Sequence, residues 1–297
     1  MTGQSDDFSH LDRVGRTIAG VGTRPFFLVL PAIAGAVLLA WLLLAAMAVR
    51  NVQAGFAGAV PGGGLLQDLP AIPLPDFLAR FMAMCVGPAP FQVASAGQFS
   101  ALILMWCLMA VATMLPSAAP MMRTYCEIAD TARIKGEQVV HPSILVAGYL
   151  AVWLAASAGF AALTLGLQMA DPDRQTFGPA NGIVAALLLA VAGLYQFSGL
   201  KEACLKKCRR PFSILFARWS DKPWRIFRLG LEQGIWCLGC CWALMLVMFA
   251  VGIMNLFWMV LLGLFAILEK QVNGRLPSRI AGTILLVWSG ALLLVSL

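Results

Sequence analysis

Residues 235–268 run for 34 positions without one Asp, Glu, Lys, Arg or His. As a single helix at 1.5 Å per residue this run would be about 51 Å long. A bilayer's hydrocarbon core needs only ~30 Å. The run therefore predicts two short helical arms joined by a tight hairpin near residue 253. Similar uncharged blocks lie at 25–49, 99–122, 142–170, 178–200 and 280–297. The chain is 60% hydrophobic and 12% charged, against roughly 25% charged residues in a soluble domain. These features exclude a soluble globular domain and a disordered chain. No alternating ten-residue segments appear, which argues against a barrel. The expectation is all-α: a polytopic transmembrane helical bundle of about seven spans (25–49, 99–122, 142–170, 178–200, 235–251, 254–268 and 280–297), one integral membrane domain over 1–297.

Basic residues are held on the cytoplasmic side of a membrane protein. With the N-terminus inside and the C-terminus outside, only Arg50, Arg80 and Arg174 of the 21 lysines and arginines fall on the outer face. The net charge of +7 then reads as an orientation signal that also touches the anionic surface of the lipid bilayer, with no nucleic acid implied. The 25–49 block is too long for a signal-peptide core and is read as a retained span. Residues 51–98 form the longest outer loop.

No enzyme signature is present. The two histidines, His10 and His141, stand apart, and no phosphate-binding loop follows a strand. Carboxylates inside a membrane would mark an ion path, but the spans as drawn hold none. Glu269 and Lys270 read as an interfacial pair that ends a helix.

Sulfur carries the one concentrated chemical signal. Cys237, Cys240 and Cys241 open the 235–251 arm, and Met245 and Met248 follow. Residues three and four apart share a helical face, so Cys237, Cys241, Met245 and Met248 form a ladder flanked by Cys240. If Cys237 stands at a helix N-terminus, the helix dipole favours its thiolate. Cys204 and Cys208 are also four apart, beside Lys206, Lys207, Arg209 and Arg210. In the 99–122 block Met105 and Met109 share a face, and Pro116 and Pro120 free backbone carbonyls. Cys85 and Cys107 are isolated, and packing is their default role. Soft thiolate and thioether ligands select Cu(I). Zinc competes, because Cys204/Cys208 and Cys237/Cys240 have spacings seen in Cys₄ sites. The predicted metal ligands are Cys237, Cys240, Cys241, Cys204, Cys208, Met245, Met248 and Met109, with copper preferred.

Two longer motifs carry a family resemblance. One runs from Met105-Trp106 through Met109 to Met114-Leu115-Pro116-Ser117-Ala118-Ala119-Pro120-Met121. The other comprises Tyr195-Gln196-Phe197, Lys201, Cys204-Leu205, Cys208-Arg209, Gly234, Cys237-Leu238-Gly239-Cys240-Cys241-Trp242, Gly252-Ile253-Met254-Asn255 and Glu269-Lys270. Together they resemble a bacterial family of predicted metal-binding integral membrane proteins. Thr113 stands where that pattern leads us to expect a second methionine beside Met114. The resemblance implies a multi-pass protein of the bacterial cytoplasmic (inner) membrane, chaperone-like in copper trafficking. Three functions follow as expectations. The first is Cu(I) handling, delivery or transport, with a copper enzyme or copper carrier protein as partner. The second is a membrane thiol-disulfide oxidoreductase using Cys237 and Cys240. The third is a structural subunit with a Cys₄ zinc site or no metal.

Overall fold

A computed structural model of the chain describes residues 25–53, 96–170 and 180–296. The described residues are helical with no strand. The elements are α1 (Pro25–Gln53), α2 (Ala96–Ile134), α3 (Pro142–Ala170), α4 (Gly182–Gln196), α5 (Gly199–Arg209), α6 (Pro211–Ala217), α7 (Pro223–Val251), α8 (Leu256–Gln271) and α9 (Leu276–Ser296). The greater part of the outer loop predicted at 51–98, including Cys85, lies outside the described residues.

Five helices are long and apolar enough to cross a membrane: α1, α2, α3, α7 and α9. A sixth crossing is available if α4 and α5, bent by 63° at residues 197–198, count as one. The block predicted as a single span at 178–200 is thus a 15-residue helix that turns sharply. Ser198 causes the restart, its hydroxyl accepting from the Lys201 amide as an N-cap does. The arm predicted at 254–268 is the 16-residue α8, about 24 Å long. Between α7 and α8 the chain reverses over residues 252–255. Gly252 takes φ 99°, a conformation that favours glycine, and the Asn255 side chain accepts from the Trp258 amide to start α8.

The helix α7 is the centre of the bundle, packed on α3, α4, α5 and α8. Its crossing with α3 is set by two small residues. A Cβ on Gly230 would lie 2.2 Å from the Leu145 carbonyl, and one on Gly148 would lie 2.3 Å from that of Phe227. Only glycine permits this approach, the means by which helices associate where water supplies no hydrophobic drive. Neighbouring α2 runs unbroken through Pro116 and Pro120. Pro116 has no amide proton for the Ala112 carbonyl, and Trp41 of α1 donates its indole N–H there instead (3.0 Å). Trp106 of α2 stacks on Phe249 of α7 at 5.2 Å between ring centres, which closes the core between the two long helices.

A candidate metal centre at the α5–α7–α8 junction

The helix carrying the cysteine cluster begins at Pro223, with proline in its first turn, twelve residues before the predicted boundary. Cys237 therefore lies fourteen residues into a 29-residue helix. The dipole of a helix terminus acts within the first turn only, so it does not reach this thiol. The predicted N-terminal position is corrected, and a different source of positive charge replaces it.

That source is Lys270, in the last turn of α8. The hairpin at 252–255 folds α8 back along α7, and the Lys270 Nζ comes 3.1 Å from Cys237 Sγ. The ammonium also donates to Ser117 Oγ on α2 (2.6 Å). It interacts electrostatically with Cys241, Cys240 and Cys208 as well. Cys240 and Cys241 have their sulfurs 3.2 Å apart, and Cys240 donates to the Cys237 carbonyl (3.1 Å). Cys208, from α5, lines the same cavity as Cys237 and Lys270. Three thiols of α7 thus lie together beside one cation, with Cys208 of α5 in the same cavity wall.

Tyr149 of α3 completes the surroundings. Its hydroxyl donates to the Met114 carbonyl (3.1 Å) and sits 3.1 Å from Cys237 Sγ. With its one proton given to Met114, the phenol oxygen is free to accept from the thiol. Ser117 donates to the same carbonyl (2.7 Å). The α2 segment before Pro120 is thereby tied to the cysteines through Tyr149 and Lys270.

Of the remaining predicted ligands, Cys204 is buried beside the cluster with its sulfur against α7. A Cβ on Gly239 would lie 2.6 Å from it, so glycine makes room for the thiol. Met245 and Met248 continue along α7 past Cys241, and all three are buried in the apolar core, as is Met109 on α2. Among the described residues no three His, Cys, Asp or Glu side chains stand at metal-ligand spacing. Cys240 and Cys241 are in direct hydrogen-bond contact at 3.2 Å, whereas tetrahedral zinc, with Zn–S about 2.3 Å, would hold sulfurs about 3.8 Å apart.

Glu269 and Lys270 are not the interfacial helix end expected from the sequence. Glu269 is 1% exposed and pairs with Lys201 of α5 at 2.9 Å. Gln196 accepts from the same ammonium, and Ser278 of α9 donates to the carboxylate (2.5 Å). Arg209 donates to the Glu269 backbone carbonyl through Nη2 (2.8 Å) and Nε (3.2 Å), capping the last turn of α8. The Lys201–Glu269 pair ties the end of α8 to α5. One sequence signal was available for these residues. An ionisable pair directly after a long apolar run is a functional candidate wherever the helix carries it inward.

No curated protein and no solved structure matches the chain. A family model does match, over residues 103–292 and described as PpoB2, a copper chaperone. The matched segment runs from α2 into α9 and takes in every residue of the thiol cluster, Tyr149 and Lys270. With nearly two thirds of its length matched, the chain belongs to this copper chaperone family.

Proposed function

We propose that the protein is a membrane-embedded Cu(I) carrier that takes the ion onto two thiolates drawn from Cys237, Cys240, Cys241 and Cys208 and passes it to a copper enzyme or another carrier. One observation carries this reading: Cys237, with Cys240 and Cys241 beside it, meets the Lys270 ammonium in a cavity wall that Cys208 of α5 shares. Soft thiolates suit Cu(I). Charge favours it further. Cu(I) on two thiolates carries one negative charge, which one buried ammonium neutralises. A Zn²⁺ ion on four thiolates would leave an uncompensated negative charge beside the lysine, and buried unpaired charge is costly.

Each thiol that binds the ion gives up its proton, and the thiol–thiol hydrogen bonds open as copper replaces them. Tyr149 and Lys270 can then both donate to Cys237. Met245 and Met248, one and nearly two turns beyond Cys241, offer softer onward positions along α7. On this reading the bundle sits in a bacterial inner membrane with the N-terminus inside and the C-terminus outside. The α7–α8 hairpin then brings the thiols toward the inner leaflet. Seven crossings result if α4 and α8 each cross as short helices.

The test is the copper content of the purified full-length protein beside that of a Cys237→Ser/Cys241→Ser variant. Stoichiometric copper in the first and a loss of most of it in the second supports the reading. Equal copper in both, or none in either, rejects it. No copper together with a reversible Cys237–Cys240 disulfide would assign thiol redox chemistry instead.

A further inference from the structure

Beside the thiols lies a cavity of about 280 Å³, open at the surface of the bundle, with Cys237 and Cys208 in its wall. Its polar lining is one-sided. Arg209, Lys270, Gln233 and Gln271 face it, and no Asp or Glu is among its lining residues. Arg209 is held by the carbonyls of Glu269 and Gly274, which are neutral, so its charge has no carboxylate partner among the described residues. The carboxylate of Glu269, whose backbone carbonyl Arg209 holds, is already paired with Lys201. Gln233 is 3% exposed, and its Nε2 has no hydrogen-bond partner among the described residues. A buried donor left unpaired costs about 1–3 kcal/mol, and Gln233 is one of the residues that line the cavity.

Two cations and an unpaired donor make a poor antechamber for a bare Cu⁺ ion. They suit an anion with acceptor groups. Resting on the Cu(I)-carrier reading, we infer that this cavity receives copper as an anionic Cu(I) complex of small thiols and is the place of ligand exchange. The exchange balances without redox chemistry. Two Cu–S bonds to the incoming thiolates break and two to protein cysteines form. The two protein thiol protons leave on the departing thiols. Copper stays monovalent, and the bound complex keeps its single negative charge, which passes to Lys270.

The test measures the rate of copper uptake by the full-length protein in detergent from two donors. One is Cu(I) in excess cysteine, an anionic thiolate complex; the other is the cationic acetonitrile complex of Cu(I). Uptake by the wild-type protein from the cysteine complex is expected to slow as ionic strength rises. Arg209→Gln is expected to slow it about tenfold, the lower end of electrostatic steering, and Gln233→Leu about tenfold through loss of one hydrogen-bond donor to a charged ligand. From the acetonitrile complex both variants should load at least as fast as wild type and to the same final content, which also reports an intact fold. Equal slowing from both donors, or uptake from cysteine that salt leaves unchanged, overturns the inference. If wild type takes copper from both donors and Cys237→Ser/Cys241→Ser takes none, the carrier reading stands whatever the donor preference. If wild type takes copper from neither donor, both fall together.

Discussion

Cys237 is surrounded by groups that lie 33, 88 and 120 positions away: Lys270, Tyr149 and Ser117, the last of these reached through the lysine. The local i, i+3, i+4 pattern of Cys237, Cys240 and Cys241 is legible in the sequence because a helix alone sets it. The counter-charge is not, because it depends on a hairpin bringing Lys270 back. Replacing that charge tests its role. Lys270→Met should weaken Cu(I) affinity about tenfold, or ~1.4 kcal/mol, and Lys270→Arg should retain most of it. Tyr149→Phe removes one donor to a charged sulfur and should cost a few-fold. Competition with a chromogenic Cu(I) chelator measures all three. Unchanged affinity in Lys270→Met would mean that the ammonium serves packing alone.

The elements hold this arrangement through two contacts of different kinds. The glycine crossing sets α3 against α7, and a bulkier residue there meets backbone, which cannot swing aside. Gly230→Ala should therefore destabilise the protein by about 1–3 kcal/mol and loosen the Tyr149–Cys237 contact. The Lys201–Glu269 pair ties α5 to α8. Breaking one member of such a buried pair costs about 3–5 kcal/mol, while replacing both with apolar residues is often close to neutral. Lys201→Met and Glu269→Leu should each lower the thermal unfolding midpoint in detergent, and the double variant should recover much of the loss. Additive losses would show that the two side chains do not act as a unit. The α7 boundary shows why hydropathy reads helices short. Arg225, Arg228 and Glu232 end the apolar run but do not disturb the helix, and Pro223, not the first uncharged residue, marks its start. The 63° bend at 197–198 had a cap residue in plain view, Ser198. The buried partner of Lys201, Glu269, comes from α8, which no local window contains.

For the whole molecule, the apolar blocks were enough to set the all-helical class, and the family motifs fall where α2, α3, α5, α7 and α8 meet. The number of crossings was less legible, because α4 and α8 are apolar yet too short to decide their own role. Topology separates the alternatives. Seven crossings place the C-terminus outside and opposite to the turn at 135–141. Six crossings, with α4 and α5 as one and α8 not crossing, place both on the inner side. A reporter active only outside, fused at residue 297, is expected to be active, and the same reporter at residue 136 silent. Silence at both would favour six crossings and require α8 to be re-entrant.

On the proposed function, sulfur from α5 and α7 holds the copper, and X-ray absorption at the copper edge of the loaded, full-length protein reads those ligands. Monovalent copper with sulfur neighbours only is expected, the neighbours falling in number when Cys237 and Cys241 are changed to serine. A first shell of nitrogen or oxygen, or a sulfur shell indifferent to those changes, would contradict it.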